Sequence, residues 1–393
     1  LEDLMGVCIT GWAHSKFGKS TLGSAEELIA SVAGAALVDA GIEAHDIDAV
    51  FLGAFNNGFG RQDFQASLVS LALPDLRHVP ATRVENACAT GSAAIHAGIN
   101  AIEAARAKRV LVIGAEKMTS VSTAQVGDVL LSACYVDEEA DVQGGFAGIF
   151  AQVASAYFQR YGNKSESLAR IAAKNHANGV NNPYAHLQRD LGFDFCNQVS
   201  EKNPMVVDPL RRTDCSLISD GAAALVLTVS DIALEDGSKA VAFRAAEQVN
   251  DFLPISRRSH TSFEGAKLAW EKAFEGANAA SSDLSLVETH DCFTIAELLQ
   301  YEAMGLAEEG RGHRIIDDGI SAIDGALPVN PSGGLKAKGH PIGATGVSQH
   351  VMAAMQLVGD AGDMQVPNAE LAGVFNMGGL AVANYVSILE RLR

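Results

Sequence analysis

The chain has 393 residues, 48% of them hydrophobic, 19% charged and 6% aromatic, with 38 glycines. A chain this long and apolar buries enough surface to offset its ordering entropy. That excludes disorder and predicts two or three units, or one large α/β body with an insertion. The formal charge of −18 argues against a nucleic-acid surface, because duplex affinity comes mainly from Lys and Arg neutralising phosphates. A polyanionic small molecule would need a local basic pocket. The 6 cysteines (8, 88, 134, 196, 215, 292) show neither CxxC nor paired CxxH spacing, so neither a disulfide framework nor a metal cage is indicated. No apolar run approaches the roughly 20 residues that span a bilayer. Glu2 and Asp3 stand where a basic leader would begin, and Leu1 in place of Met hints at a trimmed start. These features predict a soluble cytoplasmic protein with no membrane span and no nucleic-acid partner.

In chain order, residues 24–41 (SAEELIASVAGAALVDAG) read as an amphipathic helix, then a polar turn with Asp46 and an apolar strand to Gly53. Next come a strand (TRVEN), a Cys88-Ala-Thr-Gly91 junction, a small-residue helix to about Arg106 and a strong strand, RVLVIGA. The stretch from 119 is richer in polar residues and Asn/Pro turns, and about 119–206 is expected to be an inserted loop domain. ISDGAAALVLTVSD is again strand-like, so 1–118 and about 207–250 are expected to form the N-terminal half, with 251–393 the C-terminal half. Residues 261–290 repeat the opening order, with Asp283, Ala277 and Val287 falling on Asp46, Ala40 and Val50. His340-Pro-Ile-Gly343, a helix to about Leu357 and the strand LAGVFNMGG then repeat the Cys88 region. One α/β unit used twice predicts mostly parallel sheets in a layered α/β/α/β/α core. Small residues on 90–107 and 343–358 would let equivalent helices pack closely in the middle layer.

Cys88 lies where a strand ends and a helix begins. The unpaired amides there favour a thiolate and make the sulfur a nucleophile; a buried, merely packed thiol is the alternative. His340 sits in the Gly-rich turn NPSGGLKAKGHPIGATG (330–346) at the place equivalent to Cys88. It is either a base that reaches the sulfur or a turn residue; the spacing is neither GxGxxG nor GxxxxGK[ST]. His290 and Cys292, in ETHDCFT, follow a strand and open a helix, so both can face one pocket, or Cys292 can simply be packed. No ligand cluster supports a metal there. Glycines after Asn376 and Met377 could expose amides to an oxyanion or form a bulge. Arg211, Arg212, Arg257, Arg258, Lys336 and Lys338 are candidate anion contacts or solvated surface.

ENACATGSAA around Cys88, NPSGGLKAKGHPIGATG and NMGG together resemble the thiolases over nearly the whole chain, with the Gly-His-Pro segment the most specific. Most thiolases carry Asn-Glu-Ala-Phe where this chain has His290-Asp291-Cys292-Phe293, and a second Cys in Cys-x-Gly-Gly-Gly where it has Asn376. The combination is similar to the sterol carrier protein type, in which the Cys of the His-Asp-Cys-Phe segment takes over the acid/base task. The resemblance implies an acyl-CoA acyltransferase (3-ketoacyl-CoA thiolase or acetyl-CoA acetyltransferase) of lipid metabolism, including fatty acid β-oxidation. Coenzyme A thioesters would be its substrates, with no permanently bound cofactor and no metal. It further implies a Cys88 nucleophile, a His340 base and a Cys292 acid/base. The amides of Cys88 and Gly378 would form an oxyanion site, and the enolate would be held by His340 and a water on His290. The inserted domain would bind coenzyme A, with Arg211, Arg212, Arg257, Arg258 or Lys338 meeting its phosphates. The assembly would be a homodimer or tetramer, with room for a small partner protein. A decarboxylative ketosynthase-like enzyme and a non-catalytic scaffold are the competing readings; Cys292 argues against the first, and the four side chains together against the second.

Overall fold

A computed structural model describes residues 6–392. Its strands are β1 (Val7–His14), β2 (Ala49–Gly53), β3 (Ala81–Val84), β4 (Arg109–Glu116), β5 (Met205–Val207), β6 (Leu210–Arg211), β7 (Gly221–Val229), β8 (Val241–Asn250), β9 (Leu286–Glu288), β10 (Leu371–Gly378) and β11 (Ala383–Arg391). All but the β5–β6 hairpin join one sheet in the order β3-β2-β4-β7-β1-β8-β11-β10-β9. The duplication is visible in that order. β2 runs parallel to β4, β4 antiparallel to β7 and β7 antiparallel to β1; β9, β10, β11 and β8 repeat the pattern. Within the sheet, the two halves join where Cys8 and Ile9 of β1 meet Ala242 and Val241 of β8.

The sheet is mixed where the sequence predicts mostly parallel pairing. Each half returns through an antiparallel strand, so only β2–β3, β2–β4 and β9–β10 are parallel. β8 also departs from expectation: it pairs with β11 along its length and belongs to the C-terminal half, placing the boundary between β7 and β8. β4, β7 and β10 are buried almost throughout because both faces are covered. Val110 and Val112 of β4 enter the core beneath the middle helices, while Leu111 and Ile113 enter the core beneath helix Ala25–Ala40, the period-two alternation of a strand.

Helices Thr90–Glu103 and Ile342–Val358 occupy the middle layer and contribute to one core shared by both halves. Their approach depends on glycine: a Cβ at Gly91 would lie 2.7 Å from the Val347 amide nitrogen, and one at Gly346 would collide with the Ser92 amide. The N-termini of the two helices therefore meet, which places the Cys88 junction beside the His340 turn. The insertion between β4 and β7 is mainly helical (Thr123–Leu131, Gly145–Tyr161 and Ser165–Gly179) and includes the β5–β6 hairpin. Among the described residues, no helix is long and apolar enough to cross a membrane.

Candidate active site

Cys88 precedes helix Thr90–Glu103 by one turn residue, Ala89. The bend is tight: Ala87 adopts a left-handed φ of 49°, and the Asn86 amide donates to Thr90 Oγ1 at 2.8 Å. Cys88, His290 and His340 converge, with Cys88 Sγ and one nitrogen of each imidazole all within 4.8 Å of one another. The two rings stand edge to face, centroids 5.0 Å apart. Cys88, Cys292 and His340 line one cavity of about 280 Å³ whose wall is otherwise mainly apolar, with Met118, Val126, Leu130, Phe146 and Phe293 among its residues. The four candidates, from three separate segments, thus lie together.

Burial sets the resting protonation states. The helix end was expected to favour a Cys88 thiolate, but desolvation dominates and pushes the thiol up to about 12. The Gly379 and Cys88 amides pull down, and Glu116 and Glu85 push further up. Burial likewise holds Cys292 well above the ordinary thiol value, with Cys88 and Asp291 adding to it. It drops His340 to about 3 and holds His290 well below its usual value, the neighbouring His340 adding to the effect. Two thiols and two neutral imidazoles result.

The hydrogen bonds then assign the tautomers. Thr345 Oγ1 donates its one proton to the Pro341 carbonyl at 2.9 Å, so it accepts from His340 Nδ1–H at 2.6 Å. His340 Nε2, buried and without a partner, is left with a lone pair in the cavity. Asn376 Nδ2 donates to the Cys88 carbonyl at 3.1 Å and to His290 Nδ1 at 2.8 Å. His290 Nε2 consequently carries the proton and is a donor. One ring therefore presents a lone pair and the other an N–H donor. A metal at these three residues would require the His290 proton to be displaced and Asn376 to turn over.

The remaining predicted contacts divide differently. Gly378 closes β10, but the amide that reaches the Cys88 sulfur from this turn is that of Gly379. Arg211 is 3% exposed and spends its guanidinium on Asp214 at 2.8 Å and on the Asn197 and Ser165 carbonyls. Lys338 is 1% exposed, 3.9 Å from Glu288. Both are structural, corrections to their reading as phosphate contacts. Lys336, equally buried, is bound to the Cys215 carbonyl. Arg258 is bound to the Leu380 carbonyl, Arg257 is exposed over the Phe252 ring at 3.7 Å, and Arg212 is exposed. None of these residues lines the cavity.

Gly379 is one of the two glycines that the sequence offers for an oxyanion, whereas Thr345 and the buried carboxylates Glu116 and Asp291 carry no motif of their own. Glu116 had a signal: a carboxylate ending the all-apolar strand RVLVIGAE, where a charge needs partners.

Comparison with known proteins gives the family. The Thiolase, N-terminal domain family matches residues 7–231 and the Thiolase C-terminal domain-like family residues 247–391. An acetyl-CoA acetyltransferase of Methanothermobacter thermautotrophicus is 38% identical over 389 residues, covering 98% of this chain and 99% of that protein. Sterol carrier protein 2 of Homo sapiens is 36% identical over 320 residues, 76% of this chain and 56% of that longer protein. Two solved structures share the fold. The Ltp2-ChsH2(DUF35) aldolase has a TM-score of 0.82 at 21% identity, covering 99% of this chain and 98% of that one. An acetyl-CoA acetyltransferase from Syntrophomonas wolfei has a TM-score of 0.75 at 19% identity and full coverage of both chains (100%). With both halves matched and a relative this similar end to end, the chain belongs to the thiolase family and is an acyl-CoA acyltransferase of the sterol carrier protein type.

Proposed function

We propose that the protein makes or breaks the carbon–carbon bond of a 3-ketoacyl-CoA through an acyl group carried on Cys88, with Cys292 as the carbon acid/base. The observation that supports this most is the convergence of a thiol, an imidazole lone pair and an imidazole N–H within 4.8 Å. In the synthetic direction, Cys88 Sγ attacks the thioester carbonyl as its proton passes to His340 Nε2, so a free thiolate need not accumulate. The amides of Cys88 and of the 378–379 turn hold the tetrahedral oxyanion. On collapse, Cys292 gives its proton to the departing coenzyme A sulfur and becomes a thiolate. That thiolate removes an α-proton from a second acyl-CoA, while the enolate oxygen accepts from His290 Nε2–H and from the protonated His340. The enolate attacks the acyl-Cys88 carbonyl; as the product leaves, the sulfur recovers its proton from His340 and every group returns to its resting state. Thiolysis runs the same steps backwards.

The apolar cavity suits the acyl and thioester end of the substrate. No lysine or arginine lines it, and the chain carries −18 overall, so the nucleotide phosphates need counter-charge from elsewhere. That supports a small partner protein, as does the likeness to a structure whose name joins Ltp2 to ChsH2(DUF35). β3 is a sheet edge with exposed residues, which supports a homo-oligomer through strand pairing. Intact mass measurement after mixing with acetyl-CoA tests the assignment: one acetyl adduct on wild type and none on Cys88→Ala is expected. An unmodified wild-type protein, or an adduct surviving in Cys88→Ala, contradicts it.

A further inference from the structure

The turn that carries His340 is fastened on both sides by a buried carboxylate with no part in the proton transfers above. Before it, Asp291 accepts from the Leu335 amide (2.6 Å), the Lys336 amide (3.2 Å) and Asn175 Nδ2 (2.7 Å). After it, Glu116 accepts from the Gly343 amide (3.0 Å) and from the Phe55 and Asn56 amides (2.9 and 3.0 Å). The two carboxylates are 0% and 2% exposed. Asp291 sits between His290 and Cys292 in the chain, so it ties that segment to the His340 turn. Glu116 ends β4 and ties the same turn to the loop leaving β2, in the half that holds Cys88.

We propose that Asp291 and Glu116 are positioning residues whose ionised carboxylates hold His340 in register with Cys292 on one side and with the Cys88 half on the other. This rests on the assignment of Cys88, Cys292 and His340 as the machinery. Each carboxylate faces three N–H donors, whose bonds are strongest to the ionised group; a proton would weaken them, set an O–H among N–H groups and loosen the clamp.

The surroundings bring that release within reach of pH. Burial pushes Glu116 up to about 7 against the pull of its three amides and of Arg83; the Cys88 thiol is the other titratable group beside it. Burial and then Glu297 push Asp291 up, while the Leu335 and Lys336 amides and Lys174 pull it down. Lys336, Lys338, Tyr301 and Cys292 also face Asp291. Glu297 is held by Lys174 at 2.9 Å, Asn175 at 2.6 Å and the Tyr301 hydroxyl at 2.5 Å. His340 stays neutral down to about 3, so it does not produce an acid limb near neutrality.

An amide side chain freezes what a proton does, which gives the test: kcat and KM for acetyl-CoA against pH in wild type, Asp291→Asn, Glu116→Gln and the double variant. Wild type should lose kcat on acidification through about pH 7. Each single variant should show a plateau about tenfold lower, with KM within about threefold, as expected for misplaced groups and not for lost binding. The double variant should be lower still and flat from about pH 8 to pH 6. An acid limb that persists unchanged in the double variant overturns the proposal. If the double variant lacks a native melting profile, the singles decide: a wild-type plateau in either overturns it. Cys88→Ala, run alongside, reports the assignment separately; an acetyl adduct retained there removes the assignment and this proposal with it.

Discussion

Asn376 stands where most relatives of this family place a second cysteine, and its contacts explain what an amide does there. Its Nδ2 holds His290 in the tautomer that donates from Nε2 and also grips the Cys88 carbonyl. Replacing it with Ala frees the His290 proton to move to Nδ1 and removes a preorganised donor, which commonly costs 10²–10³ in rate. Asn376→Ala is therefore expected to lower kcat about 10²-fold while Cys88 still takes an acetyl group, by steady-state kinetics and intact mass. The four converging side chains were legible in the sequence because each stands at a strand exit or Gly-rich turn, where chemistry is recognisable from residue type. Their protonation states were not. The amides around Cys88 are visible as a helix start, but the desolvation that outweighs them arises from packing by residues far along the chain.

Among the elements, the repeat was readable because the helix-turn-strand order and its Asp, Ala and Val positions recur. Strand direction was not. A short apolar run does not reveal whether the chain enters it from one end or the other, so the antiparallel returns β7 and β11 and the place of β8 emerge only from pairing. The two middle helices were anticipated from their small residues, and the contact turns on two backbones meeting. Gly91→Ala would force a methyl to 2.7 Å from the Val347 nitrogen. Overpacking of this kind costs about 1–3 kcal/mol; here it also spreads the helix ends that bring Cys88 to His340. A lowered melting temperature with a larger proportional loss of kcat is expected, read by thermal denaturation and kinetics; unchanged values in both would contradict the close packing.

Across the described residues, six histidines are held below their ordinary value by desolvation, His176, His290, His340 and His350 buried and His14 and His96 partly so: His14, His96, His176 and His340 to about 3, His350 to about 4, and His290 well below normal. Unfolded, all would take protons near pH 6.5. Between that value and about 4 the unfolded chain binds more protons at these sites, so their contribution is present above pH 6.5 and lost as pH falls. The raised carboxyls Glu116, Glu288, Asp291 and Glu302 act in the opposite sense, their contribution fading as pH rises through their folded values. The histidines outnumber them, so the melting temperature should climb from about pH 5 to about pH 7, as calorimetry would show.

Burial neutralises two sulfurs from opposite halves of the duplicated core, and the proposed mechanism divides labour between them, Cys88 to carry the acyl group and Cys292 to handle the carbon-bound proton. The most direct measurement is made on Cys292→Ala with acetyl-CoA in deuterated water, following the acetyl adduct on Cys88 by mass and exchange of the acetyl-CoA methyl protons by NMR. The adduct should still form, more slowly because the departing coenzyme A sulfur has lost its proton donor, while methyl exchange and condensation fall to background. Exchange at the wild-type rate in that variant would contradict the account.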